Sequence, residues 1–145
     1  MNKPVLDNYR FERKFIIPER LTHSIEEVVK SNSALMRKIF CPRFINNIYF
    51  DNSRFKFFFE NIDGVSERMK MRIRWYGNLK GKINKPVLEF KQKHGLTGSK
   101  TSIALPSFDL KDIFHPGFLP SLFQNSNLDM RKKELMLSLT PSLIN

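Results

Sequence analysis

A chain of 145 residues with one cysteine, Cys41, can close no intrachain disulfide and has no second thiol for a Cys-based zinc site. Cys41 then reads as a small, part-buried apolar residue, which fits a reducing compartment. No window reaches the ~20 apolar residues of a membrane-spanning helix, and the N-terminus lacks the basic, apolar and small-residue order of a signal peptide. The expectation is a soluble, cytoplasmic protein. Solenoid-length repeats and low-complexity tracts are absent, and no Gly-rich phosphate loop caps a helix. Acidic residues are short as well: 14 Asp and Glu stand against 25 Lys and Arg, a formal net charge of +11. That balance implies an anionic partner, whether nucleic acid, a phosphorylated small molecule, polyphosphate or an acidic membrane surface.

What is present is a charge pattern built into strands. From Ser66 to Gly77 the sequence alternates with period two, placing Arg68, Lys70, Arg72 and Arg74 on one face and Met69, Met71, Ile73 and Trp75 on the other. Like charges two residues apart along a strand repel unless an anion or an interleaved carboxylate neutralises them. Between Arg68 and Lys93 there are nine Lys or Arg residues and a single acid, Glu89.

Other segments fit around this strand. Tyr9 to Ile17 alternates too, with Arg10, Glu12 and Lys14 on one face. Pro18 pre-sets a helix start, and Leu21, Ile25, Val28 and Val29 follow helical spacing to about Lys30, with a further short helix expected over Ser33 to Phe40. Ile45 to Asp51 reads as a strand whose Asn47, Tyr49 and Asp51 share a face. Asp51-Asn52-Ser53 is a cap signature for a helix with an apolar stripe of Phe55, Phe58, Phe59 and Ile62, ending at Asp63-Gly64. Gly77 to Lys85 reads as a hairpin loop. Val87, Glu89, Lys91 and Lys93 then alternate with Leu88, Phe90 and Gln92, and after a Gly-containing turn Lys100 and Ser102 oppose Thr101, Ile103 and Leu105. The remainder reads as helical, with Leu110 to Phe114 and a capped run from Asn127 to Leu139 that Pro141 terminates.

The fold class is therefore α+β, built on an antiparallel meander with amphipathic helices. Two arrangements satisfy the pattern. The sheet curls around its charged face as a curved or partial β-barrel with helices packed outside, or it stays an open sheet with one solvated basic face.

The run Arg72-Ile-Arg74-Trp75-Tyr76-Gly77 resembles the Arg-x-Arg-Trp-Tyr-Gly strand of the VTC domain, the polyphosphate polymerase branch of the triphosphate tunnel metalloenzymes (CYTH-like). Arg10-x-x-x-Lys14, Tyr49-Phe50-Asp51, Glu89-x-Lys91 and Lys100 follow in that family's order. The resemblance implies a tunnel of antiparallel strands with a charged lumen that binds ATP, polyphosphate or tripolyphosphate with magnesium or manganese and transfers the γ-phosphoryl group to a growing chain. It assigns phosphate binding to Arg10, Lys14, Lys70, Arg72, Arg74, Lys91 and Lys100, catalysis to Arg72, Arg74 and Lys91, and metal binding to Glu12 and Glu89.

Residues 1–8 read as a lead-in and 9–145 as the N-terminal portion of such a domain, since the family pattern continues beyond Leu139-Thr140-Pro141 into further tunnel strands. The expectation is a transferase-family chain that is weak or inactive alone and that self-associates or meets a completing chain. A noncatalytic polyphosphate- or RNA-binding module and a tripolyphosphatase-like hydrolase are the alternatives, with nucleic acid the less favoured ligand.

Overall fold

The computed structural model describes residues 16–34 and 36–145, with the backbone of Arg10 and Phe11. It comprises two bodies, one of residues 16–34 and 36–43 and the other of strand β1 (Arg10–Phe11) together with residues 44–145. In the first, Pro18 precedes a 3-10 turn, Glu19–Leu21, which leads into α1 (Thr22–Ser31). Asn32 leaves the helical conformation and its side-chain oxygen accepts from the Ala34 amide at 2.9 Å. This local bond competes with helix continuation, and among the described residues no helix forms over 33–40. Two expectations are corrected here: Cys41 is exposed rather than part-buried, and no side chain of α1 is buried.

The second body is a sheet with helices on its apolar face. Its strands are β2 (Ile45–Asp51), β3 (Glu67–Tyr76), β5 (Val87–His94), β6 (Thr97–Ala104) and β8 (Thr140–Ile144), ordered β1-β6-β5-β3-β2-β8, with every pairing antiparallel. Strands β2, β3 and β5 sort their side chains by parity. Ile48, Phe50, Met71, Ile73, Trp75, Leu88 and Phe90 are buried on one face. Trp75 also donates its indole N–H to the Asn78 carbonyl at 2.9 Å, satisfying the one polar atom of a large buried ring.

The apolar face is covered by the C-terminal third of the chain. β4 (Lys82–Ile83), inside what the sequence suggests is a plain loop, pairs with β7 (Phe108–Asp109), which leads into a 3-10 helix, Leu110–Phe114, with a reciprocal Asp109/Asp112 capping box. Then come α3 (Phe118–Gln124) and α4 (Met130–Leu137), the latter capped by Asp129. Phe123 meets Phe50 edge-on with ring centres 5.8 Å apart, and Phe108 meets Phe118 at 5.5 Å. The sequence pattern does not announce α3, because Pro120 falls inside it. Pro120 is the third helical residue, where an N–H would have no intrahelical partner in any case.

One expectation narrows and two change. The strands with described pairings form an open sheet, with β1 and β8 as its two edges, and no closed barrel is present among them. Helix α2 (Lys56–Ile62) is capped from upstream as expected, since the Asp51 carboxylate accepts from the Phe57 and Phe58 amides at 3.1 and 2.9 Å. It nevertheless turns the expected packing stripe away from the core: Phe55, Phe58, Phe59 and Ile62 are exposed, while Phe57 packs against the core and Asn61 donates to the Met69 carbonyl. The reason is that α3 and α4 already occupy the apolar face. Finally, the helical run ends before Pro141 as expected, at Leu137, but the C-terminal part is not all helical: Pro141 lies in β8, where it pairs opposite Phe50 on an edge strand.

Truncating a core ring should therefore cost far more than truncating a stripe ring. Phe123→Ala is expected to lower the unfolding free energy by about 3 kcal/mol, and Phe58→Ala by about 0.5 kcal/mol or less, in denaturant titrations. Equal losses would show that the stripe packs against the protein after all.

Candidate anion-binding face

The charged face is assembled by register. Arg72 lies opposite Tyr49 on one side and Glu89 on the other, Arg74 opposite Asn47 and Val87, and Lys70 opposite Lys91, which in turn faces Lys100. β3, β5 and β6 thus carry a cross-strand row of three lysines next to a cluster of two arginines around one carboxylate. Arg10 is opposite Gly98 in the register of β1 and β6, and its side chain, with Glu12 and Lys14, lies outside the described residues.

Glu89 is the centre of the cluster. Its side chain is 5% exposed, and that of Arg72 9%. Arg72 donates from Nε to Glu89 Oε2 at 2.8 Å, and its Nη2 lies 2.7 Å from the same oxygen. Because one oxygen receives both nitrogens, Nη2 makes an ion contact without a well-angled hydrogen bond. Nη1 donates to the Tyr49 hydroxyl at 3.2 Å. The other carboxylate oxygen, Oε1, is held loosely by Lys100 Nζ at 3.4 Å and Arg74 Nη1 at 3.6 Å. Arg74 Nε donates to Asn47 Oδ1 at 3.3 Å, and Asn47 Nδ2 to Asn145 Oδ1 at 3.1 Å, so a polar chain runs from the cluster to the end of the resolved sequence.

The electrostatics follow from this geometry. Burial pushes the Glu89 carboxyl up, but the hydrogen bond and charge of Arg72, with Arg74 and Lys100, outweigh it and hold the group below its ordinary 4.5. Lys91 is shifted down, first by partial desolvation and then by the charge of Arg72, which Glu89 only partly counters. No ion pair joins Lys70 or Lys91 to a carboxylate among the described residues. An anion arriving at this row meets two lysines, Lys70 and Lys91, that no carboxylate among the described residues pairs with.

Of the expected site residues, the structure brings Lys70, Arg72, Arg74, Glu89, Lys91 and Lys100 onto one face. Sequence reasoning placed Asn47 and Tyr49 on a common face without giving them a role at the site. Their shared parity was the available signal, but the register that sets them beside the two arginines depends on a pairing between separate segments.

Both Glu89 oxygens are taken by cationic side chains, and among the described residues no group of three or more His, Cys, Asp or Glu side chains is placed to hold a metal ion. A divalent cation needs oxygen ligands that are free of other cations, so the surroundings of Glu89 do not fit one.

The sequence model of the VTC domain family matches residues 9–139. The chain belongs to the VTC domain family. Among curated proteins and among solved structures, none matches it. The match spans every strand of the charged face and ends just before β8. Within this VTC domain, no described helix is long and apolar enough to cross a membrane.

Removing Glu89 leaves Arg72 shielded from water and without its partner. Glu89→Ala is expected to cost about 2 kcal/mol, below the range for fully buried pairs because flexible cationic side chains form part of the cover. The folded-state pKa of Glu89 is depressed, so its contribution is complete above the ordinary carboxylate value and is lost as pH falls through the folded value. Thermal unfolding of the variant followed from pH 7 to pH 2 is therefore expected to show a shallower acid loss than the wild type; parallel curves would mean that the pair is not coupled to folding.

Proposed function

We propose that the charged face binds the phosphate chain of ATP, polyphosphate or tripolyphosphate, and that the domain serves γ-phosphoryl transfer of the polyphosphate polymerase type. One observation carries the reading: five cationic side chains on three adjacent strands share one face with a single carboxylate, and within the lysine row only Lys100 meets that carboxylate, while Lys70 and Lys91 pair with no carboxylate among the described residues. Membership of the VTC family supports it. In this reading the face belongs to a charged tunnel of curved strands, the finer architecture that the family resemblance implies.

The chemistry suits such a face. Phosphoryl transfer asks for positioning and for stabilisation of charge spread over phosphate oxygens, and demands little covalent chemistry from the protein. Arg74 presents a planar fork whose contact with Glu89 is long, while Lys91 and Lys100 supply compact point charges that adapt to the ligand's position. Arg72 differs. Its Nε and Nη1 donate to Glu89 and Tyr49, so it contributes its field and holds the cluster in shape.

The test is calorimetric titration of tripolyphosphate into the wild type and into Arg74→Ala, Lys91→Ala and the double variant. Each single change is expected to weaken binding by about 1.5 kcal/mol, the lower end for hydrogen bonds to charged groups because both side chains are partly in water. Arg72→Ala is the poorer probe, since it also strands Glu89. Undiminished affinity in the double variant would remove the site. Polyphosphate formed from ATP would mark a transferase, whereas RNA outcompeting tripolyphosphate, with a steep salt dependence, would point to a nucleic-acid module.

A further inference from the structure

Resting on this anion-face reading, we propose that Glu89 is a built-in counter-anion, which holds Arg74 and Lys100 in the absence of ligand and surrenders them to an incoming phosphate, rather than a metal ligand. The two carboxylate oxygens are not equivalent. Oε2 receives Arg72 at 2.8 and 2.7 Å, and Arg72 is fixed from its other side by the Tyr49 hydroxyl. Oε1 receives only the long contacts of Lys100 at 3.4 Å and Arg74 at 3.6 Å. Those two side chains are also the more accessible ones, 40% and 23% exposed against 9% for Arg72.

An anion approaching from solvent can therefore take Arg74 and Lys100 without disturbing the Arg72 pair. Arg72 keeps Glu89 neutralised when they leave, so the exchange does not create an isolated buried charge. Lys91 stands next to the exchange point. Its pKa is lowered first by partial desolvation and then by the positive charge of Arg72, Arg74 and Lys100, and it is this second part that a phosphate relieves and a metal ion would worsen. Glu89 thus lowers the affinity of the empty face for anions in general and keeps two of its cations ordered until a ligand competes for them.

Three measurements test this. In metal-free buffer, tripolyphosphate is expected to bind Glu89→Gln roughly five-fold more tightly than the wild type, the gain from removing one like charge in a partly solvated site. Equal or weaker binding by a folded Glu89→Gln protein would overturn the inference, because removing a carboxylate that competes with the ligand for Arg74 and Lys100 has to favour the ligand. Where that variant does not fold, the wild type suffices: adding tripolyphosphate is expected to shift the Lys100 Nζ and Arg74 Nε resonances and leave Arg72 Nε in place, and displacement of Arg72 would overturn the exchange. Manganese alone, added to wild type carrying labelled glutamate carboxylates, is expected to leave the Glu89 signal sharp; selective broadening would make Glu89 a metal ligand. Failure of tripolyphosphate to bind either protein would instead remove the anion face itself, a result separable from broadening at Glu89.

Discussion

A carboxylate removed from water in the middle of a sheet must be matched by positive charge, and the Arg72–Glu89 pair is the match around which the rest of this domain is arranged. The pair spans β3 and β5 in direct register. A shift of one residue would turn Arg72 into the apolar face and Ile73 out of it, exchanging a paired charge for a buried unpaired one and a core residue for an exposed one. Charge pairing and apolar burial therefore select the same alignment. The neighbouring strands add to that alignment through side chains of matching parity, Tyr49 and Asn47 from β2 and Lys100 from β6.

The cluster is also deliberately unbalanced. One carboxylate faces two arginines and a lysine, and the adjacent lysine row brings none of its own. A folded protein tolerates such an excess near its surface because solvent screens it, but the excess remains as a field over the face. Stability and ligand attraction thus draw on the same groups in opposite senses: the paired part of the cluster favours the fold, and the unpaired part favours an anion.

Much of this was legible in the sequence because alternation is a local property. Period two along Arg68 to Trp75 and along Val87 to Lys93 suffices to separate the charged from the apolar side chains, and the structure keeps that separation. The cap signature at Asp51-Asn52 was readable for the same reason. What escaped depends on competition between distant segments. The stripe of Phe55, Phe58, Phe59 and Ile62 has the spacing of a packing face, yet which helix covers the sheet is decided by α3 and α4, whose Phe123 and Met136 fill that space. Pro120 hides α3 and Pro141 hides β8, since each residue usually marks an interruption and is here tolerated by its position. The closure of the sheet was beyond reach of a pattern argument, because alternating strands serve an open sheet and a barrel equally well.

The strand order carries a kinetic consequence. β3, β5 and β6 are joined through short connections, so the Arg72–Glu89 pair and the lysine row can assemble from chain already close in sequence. β8 reaches β2 across nearly the whole described chain; Asn145 and Asn47, which exchange backbone hydrogen bonds, are 98 residues apart. Closing so long a loop carries an entropic cost that nearby pairings avoid, and contacts of high sequence separation slow the search for the native state. The pairings of the charged meander thus carry the smaller loop-closure cost, and the edge strand that steadies Arg74 through Asn47 carries the larger one.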